Sequence, residues 1–335
     1  MRIATYNVEW FNRLFDDDGQ LINDGSWSSR WDVTKARQTE ALGNVFRALD
    51  ADAIMIIEAP DTSPNRDGQV ALETFAKTFG LRSNKALIGF PNDTQQEIAL
   101  LYDPAVVTAV HKPLGGQSEA DPRFDEDFFL DVDVDAHPDP IQWSKPPLEA
   151  HVTLTNGTVL NLIGVHAKSK APHGANAPAE EMRISIANRR KQLAQCIWLR
   201  RRVQSHLDQN APLIVMGDFN DGPGLDEYEK LFGRSSIEIV LGEGEADKLH
   251  DPHARMALGS KLGAKPSTAR FKRRDGPYLQ ALLDYIMVSL DLMERDPKWQ
   301  IWHPFDHPAC FENQELRDAL LDASDHFPVV LDIDL

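Results

Sequence analysis

The chain has only two cysteines in 335 residues, Cys196 and Cys310. That is too few for a disulfide framework, so a reducing cytoplasm is the default expectation. No window approaches the roughly 18 apolar residues of a membrane span. The opening MRIATYNVEWF lacks the long apolar run and small-residue cleavage site of a signal peptide and reads as a strand. Basic residues are scarce as well. The 35 Lys and Arg against 52 Asp and Glu leave a formal charge of −17, which argues against a broad basic coat for nucleic acid, because phosphate affinity comes from neutralising cations. HExxH and a Cys cluster are missing, which removes a zinc protease or structural zinc. So are GxxxxGK[ST], a Rossmann fingerprint and a Ser or Cys nucleophile elbow. No short repeat, low-complexity tract or Gly/Ser linker interrupts the chain. What is present, 42% hydrophobic and 26% charged residues, is enough for a sizeable core and excludes a disordered or fibrous chain. The length admits two domains, or one large two-sheet α/β fold.

Strand and helix patterns alternate. Ile3–Val8 reads as a short strand, and a polar loop then leads to a helix that Thr34 would cap, with Leu42, Val45, Phe46 and Leu49 as its apolar stripe. The continuous apolar run Ala53–Ile57 reads as a strand buried on both faces, ending at Glu58. A helix over Val70–Phe79 and a strand over Ile98–Tyr102 follow. His151–Thr155 and Thr158–Val165 flank Asn156-Gly157, a two-residue hairpin signal. A long helix over Glu180–Leu207 precedes the buried strand Leu213–Gly217, and Leu282–Ser289 and Phe327–Asp334 are the last strands. Between Glu119 and Asp139 nine carboxylates accompany one Arg. The segment of about 113–145 therefore reads as an acidic, solvated insertion shielding a sheet edge, with an acidic lid as the sharper alternative. Strand runs separated by helices predict a mixed α/β core of two packed sheets.

Several strands end in a polar residue able to bind metal or move protons: Asn7 and Glu9, Glu58, His166, Asp218 with Asn220, and Asp325-His326, with Asp284 inside a strand. Singly, each is more often a cap, a turn or a satisfied core residue. Together, beyond rigid strand ends where α/β proteins bind ligands, they point to a site. The oxygen donors suit Mg²⁺ or Mn²⁺ with room left for a phosphate, and two histidines can serve an attacking water and a departing oxygen. Those parts fit metal-assisted phosphate-ester hydrolysis.

Six motifs, in order and spanning almost the whole chain, carry a resemblance. They are Ile3-Ala-Thr-Tyr-Asn-Val-Glu9, Ile56-Ile-Glu58, Gly164-Val-His-Ala-Lys-Ser-Lys170, Met216-Gly-Asp-Phe-Asn-Asp221, Leu283-Asp-Tyr-Ile-Met-Val-Ser289 and Ser324-Asp-His-Phe-Pro-Val329. With them the chain resembles the endonuclease/exonuclease/phosphatase superfamily. The resemblance implies a four-layer α/β/β/α sandwich of two packed mixed sheets, with the site at one end. It implies a metal site at Glu58 helped by Asn7 and Asp325, with Asp218 beside it. Asp218 and Asn220 would position the attacking water and touch the phosphate, and His326 would be held by Asp284. His166 would stand near the leaving group, oriented by Glu97, a partner that would favour its protonated form. Three departures stand out. Leu283 replaces a frequent Arg or Lys, Trp10 follows Glu9 where related bacterial members often have Asn, and His166 leans away from the AP-endonuclease branch.

These motifs must converge on one site, which makes 1–335 one catalytic domain. The expected activity is that of a divalent-metal-dependent phosphodiester hydrolase, with a nuclease as the first reading. A phosphomonoesterase or phospholipase-type enzyme and a non-catalytic phosphate-binding module are the alternatives. The partner would be nucleic acid or another phosphodiester. Lys168 and Lys170 beside His166, and Arg270 and Lys272 from the basic run Lys261–Arg274, are the expected phosphate contacts. Phe271 and Tyr278 nearby are candidates to stack on bases. The basic residues of Glu181–Arg202 read as a solvated helix face. Local basic patches can guide a polyanion despite the net charge, and a cation brings its own positive charge to the carboxylates.

Overall fold

The computed structural model describes residues 1–116, 122–131, 137–172, 177–222, 232–244, 247–259, 265–272 and 276–335. Its first sheet is built from β1 (Arg2–Asn7), β2 (Ala53–Ala59), β3 (Lys85–Ile88), β4 (Glu97–Tyr102), β14 (Lys298–Ile301) and β15 (Val329–Asp332), in the order β14-β15-β1-β2-β4-β3. The second contains β5 (Val107–His111), β8 (Leu148–Leu154), β9 (Val159–His166), β10 (Leu213–Asp218) and β13 (Asp284–Val288), in the order β13-β10-β9-β8-β5. Each sheet has one parallel pair, β1 with β2 and β9 with β10, among antiparallel neighbours. Two small hairpins complete the strands: β6 (Phe128–Leu130) with β7 (Asp139–Ile141), and β11 (Ala269–Phe271) with β12 (Leu279–Ala281).

Strand alternation explains the layering. Ile3, Met55, Ile57, Ile98 and Leu100 of the first sheet share a core with Leu162, Ile214, Met216 and Ile286 of the second. The intervening residues face outward under helices. α1 (Lys35–Leu49), α2 (Gly68–Phe79) and α7 (Gln314–Ala323) cover the first sheet. α3 (Pro178–Leu207), α4 (Ser236–Leu241) and α5 (Pro252–Gly259) cover the second. A short α6 (Pro308–Glu312) precedes α7. The result is the expected α/β/β/α sandwich. Thr34 caps α1 through Arg37 N. Gly164 lets the two sheets approach, since a Cβ there would stand 2.4 Å from Met55 Sδ. Both cysteines are free and buried, on opposite outer faces.

Three expectations need correction. The β8–β9 turn is not a two-residue loop. Leu154 N donates to Thr158 O and Gly157 N to Leu154 O, and the positive φ of 87° falls on Gly157 and not on Asn156, the pattern of a three-residue turn closed by a glycine bulge. The segment 113–145 is not simply solvated: Phe124, Phe128, Ile141 and Trp143 are buried, and the Phe128 ring stacks on Trp198 of α3 at 5.2 Å. The charges dominate its composition, yet the interleaved rings decide how it packs. Two basic residues of α3 are likewise buried. Arg189 pairs with Asp221 and Arg202 with Glu149, at 2.6 and 2.5 Å, while Arg183, Arg190, Lys191 and Arg201 are exposed as expected.

Candidate active site

Strand register assembles the centre of the site. Asp218, the last residue of β10, is paired with His166 at the end of β9 and with Asp284 at the start of β13. The three lie in one row across the second sheet and, like Met216 and Ile286, face the first sheet. Asn7 ends β1 opposite them and donates from Nδ2 to Asp218 Oδ2 at 3.0 Å. Asp218 is further held by Asn220, whose N–H reaches Oδ1 at 2.7 Å and whose Nδ2 reaches Oδ2 at 3.0 Å. Just before Asp218 in β10, Gly217 takes φ 131°, and a Cβ there would stand 2.1 Å from Val165 O, so the position requires glycine.

Glu58 enters by a different route. Met55 and Ile57 face the inner core and Ile54 and Ile56 the outer one, so strict alternation would send Glu58 outward. A register shift between Ile57 and Ala59 and a left-handed φ of 64° turn it into the cleft instead. Gln96 Nε2 then donates to its Oε2 at 2.6 Å.

Of the residues singled out in the sequence, Asn7, Glu9, Glu58, His166, Lys170, Asp218, Asn220, Phe271, Asp325 and His326 line a single cleft of about 870 Å³. Asp284 stands behind His326 and accepts from its Nδ1 at 2.7 Å. Burial opposes a charge on that imidazole, but Asp284, with Asp218 and Asp325, outweighs it and holds His326 protonated well above its ordinary range. His166 is the reverse case. It is buried 3.2 and 3.3 Å from Lys145 Nζ at its two ring nitrogens, and desolvation with the lysine charge pushes it well below its ordinary range. Desolvation also raises Glu58, and raises Asp218 to about 7.

The remaining residues are placed elsewhere. Glu97 does not reach His166. Ile98 faces the inner core and Ala99 the outer one, so Glu97 shares the outer face, where Thr62 N donates to its Oε1 at 3.0 Å. The residue on the cleft side is its neighbour Gln96. His166 has Lys145 at 3.2 Å and the carboxylates of Asp218 and Glu58 farther off at 3.6 and 4.0 Å; burial and the nearer lysine outweigh them, so the protonated form expected of that histidine is not favoured. Neither Gln96 nor Lys145 was singled out in the sequence; parity with Ile98 was the available signal for the first. Lys170 lines the cleft but donates to Asp221 at 2.6 Å. Lys168 contributes its N–H to Gln195 Oε1 and does not line the cleft. Arg270 and Lys272 line an adjoining groove. Lys261, Arg273 and Arg274 lie outside the described residues.

A cation position is consistent with the donor set. Asn7 Oδ1 and Asp284 Oδ1 are buried without a hydrogen-bond partner. Among the described residues, Asp218, Asp284 and His326 also have donor atoms within 4.8 Å of one another, but the hydrogen bond of a protonated His326 to Asp284 already uses that cluster, which leaves the cation to the oxygens on the Glu58 side of the cleft. Burial leaves Glu58 and Asp218 short of compensating charge, and hard oxygen donors of this kind suit Mg²⁺ or Mn²⁺.

The family profile described as "Endonuclease/Exonuclease/phosphatase family" matches residues 4–326. The chain belongs to this family. Its relatives among solved structures include truncated TDP2 from Caenorhabditis elegans, 13% identical, covering 100% of this chain and 97% of that one at a TM-score of 0.52. D. rerio TDP2 complexed with single strand DNA product is 13% identical, with 100% and 99% covered and a TM-score of 0.50. A protein of the endonuclease/exonuclease/phosphatase family from Bacteroides thetaiotaomicron is 14% identical, with 100% and 98% covered and the same score. None of the curated proteins matches the chain. At these identities the likeness establishes the family fold, and what the cleft does must be argued from its own residues. Among the described residues no helix is long and apolar enough to cross a membrane.

Proposed function

We propose that the chain is a divalent-metal-dependent phosphodiester hydrolase, acting as one catalytic unit by in-line attack of water. The observation that carries this reading is the convergence of a buried carboxylate row, an orphaned Asn7 Oδ1 and two buried histidines, one against Asp284 and one against Lys145, at one open cleft. A cation held by Glu58, Asn7 and Asp325 would supply positive charge against the phosphoryl oxygens. Asp218, fixed from three directions by Asn7 and Asn220, orients the attacking water through whichever carboxylate lone pair remains open and takes up its proton, a task suited to a group held near pH 7. His326, charged and locked by Asp284, donates to a non-bridging oxygen as negative charge grows in the transition state. His166 flanks Asp218 on the side away from Asp284, with its Nε2 3.6 Å from Asp218 Oδ2; there the Lys145 ammonium would stabilise the departing oxygen and supply it with a proton through the neutral imidazole. Lys170, fastened to Asp221, shapes the wall and makes no free phosphate contact in this arrangement.

The test is hydrolysis of bis-p-nitrophenyl phosphate with Mg²⁺ or Mn²⁺ around neutral pH. Turnover that EDTA abolishes supports the reading, as does its loss in Glu58→Ala, Asp218→Ala and His326→Ala variants that still fold. Hydrolysis of p-nitrophenyl phosphate but not of the diester would replace it with a phosphomonoesterase, and metal-dependent phosphate binding without turnover with a binding module. A panel of plasmid DNA, single-stranded RNA, sphingomyelin and inositol phosphates then orders the natural substrate classes.

A further inference from the structure

Beside the cleft runs a second groove of about 450 Å³ that shares Glu9, Phe271 and Asp325 with it. One wall is the β11–β12 hairpin, clamped to the catalytic end of the sandwich. Arg270 N donates to Asp325 O at 2.7 Å, Ala269 bridges His326, and the Phe271 ring lies 5.6 Å from that histidine. The other wall is the loop between β1 and α1, which presents Trp31 with 70% of its surface exposed.

The cations here sit on rings. Lys272 Nζ lies 4.1 Å from the centre of the Trp31 ring, and the Arg270 guanidinium lies 3.4 Å from that of Tyr278, itself exposed, and 5.4 Å from that of Phe305. Arg30 and Arg37 in the same groove are bound to Glu9 and Asp322. Among the described residues neither Arg270 nor Lys272 forms such a pair. A cation resting on an aromatic face is held in place yet keeps donors for an anion. The exposed rings offer stacking faces that any base can use.

Charge narrows the occupant. A net −17 disfavours a duplex, which presents one negative charge per roughly 1.7 Å of its axis. A strand needing only two phosphate contacts at a local patch is compatible with it. Of the groove's four carboxylates, Glu9 and Asp322 are neutralised by the arginines, Asp325 belongs to the proposed cation position, and Asp32 is exposed to solvent, where water screens its charge.

We propose that this groove seats a single-stranded nucleic acid segment flanking the scissile phosphate. Bases stack on Trp31 and Tyr278, and successive phosphates meet Lys272 and Arg270. The proposal rests on the reading of the adjoining cleft as a phosphodiester hydrolase, and names its substrate class.

The test is fluorescence anisotropy of a fluorescein-labelled oligodeoxythymidylate with the full chain in EDTA, where cleavage does not intervene. Trp31→Ala and Lys272→Glu are each expected to weaken binding by about tenfold, with thermal unfolding confirming that both variants fold. Lys272→Glu should also lower the slope of log K against log salt by about 0.7, and a duplex of equal length should bind at least about tenfold more weakly than the single strand. Unchanged affinity in both folded variants, equal affinity for duplex, displacement by anionic phospholipid vesicles, or no binding by the unaltered chain would each overturn the proposal. Hydrolysis of bis-p-nitrophenyl phosphate by the unaltered chain reads the cleft separately. Diester turnover without strand binding removes the groove and keeps the hydrolase. Strand binding that the variants weaken, without turnover, does the reverse.

Discussion

His326 and His166 are the same residue type, both buried in one cleft, and their neighbours drive them to opposite protonation states. Asp284 at 2.7 Å holds His326 charged, whereas Lys145 at 3.2 Å helps burial keep His166 neutral. This pairing of a cationic donor with a neutral relay defines two experiments. If His326 acts as a cation, activity is present below its raised pKa and falls as pH rises through it. Asp284→Asn removes the main stabilising charge and so lowers that pKa, moving the alkaline limb of the kcat/KM profile to lower pH. It should also cost about 10²- to 10⁴-fold in kcat/KM, the range for misorienting a catalytic imidazole. A profile that only drops, with no shift of its alkaline limb, would mean that Asp284 serves packing alone. Lys145→Met acts in the other direction. With the like charge gone, the His166 pKa rises, readable by NMR titration of its ring protons, and diester hydrolysis falls by about 10²-fold through loss of the cation on the leaving side.

At the scale of elements, what the sequence disclosed depends on strand parity. Asn7, His166 and Asp218 were legible because each ends an apolar run whose alternation aims it between the sheets, and His326 because it stands in the Ser324-Asp-His motif just before the last strand. Asp284 was legible by type but misplaced, since β13 begins at that residue and the run Leu282–Ser289 does not continue as one strand. Glu58 was legible by motif, although the bulge that aims it has no sequence signature beyond the residue itself. Glu97 failed by one position: either Gln96 or Glu97 had to face the cleft, and the parity of Ile98 selects Gln96. Lys145 closes a segment whose composition reads as solvent-facing, and its role depends on contacts with β9 about 20 residues away. The same blindness hid the salt bridge from Arg202 of α3 to Glu149 of β8, because charge runs in a helix do not say which member turns inward. That pair is fully buried, so removing one partner strands a charge. Glu149→Leu alone should cost about 3–5 kcal/mol of unfolding free energy in urea titrations, and adding Arg202→Met should restore much of the loss. An additive double variant would mean that the two side chains are stabilised independently.

For the whole molecule, a net charge of −17 is a cost, and part of it is borne at the catalytic end. Glu9, Glu58, Asp218, Asp284 and Asp325 gather where two sheets terminate, and desolvation raises Glu9 and Asp218 to about 7 and Glu58 in the same direction. Protein cations answer only part of this charge, through Arg30, Lys145 and His326. A divalent cation would therefore relieve repulsion in the folded state and find no comparable cluster in the unfolded chain. Its binding is stability, by mass action. At roughly 100-fold excess over Kd the gain is about 3 kcal/mol, which for a chain of this size raises Tm by roughly 3–5 °C. Differential scanning fluorimetry with Mg²⁺ or Mn²⁺ should show that rise. In Glu58→Gln the loss of a carboxylate should raise Tm without metal, since a desolvated charge is removed, and shrink the metal-dependent increment. Both signs are required. A variant destabilised in EDTA and still stabilised to the full extent by metal would place the cation elsewhere and return Glu58 to a structural role at the β2 bulge.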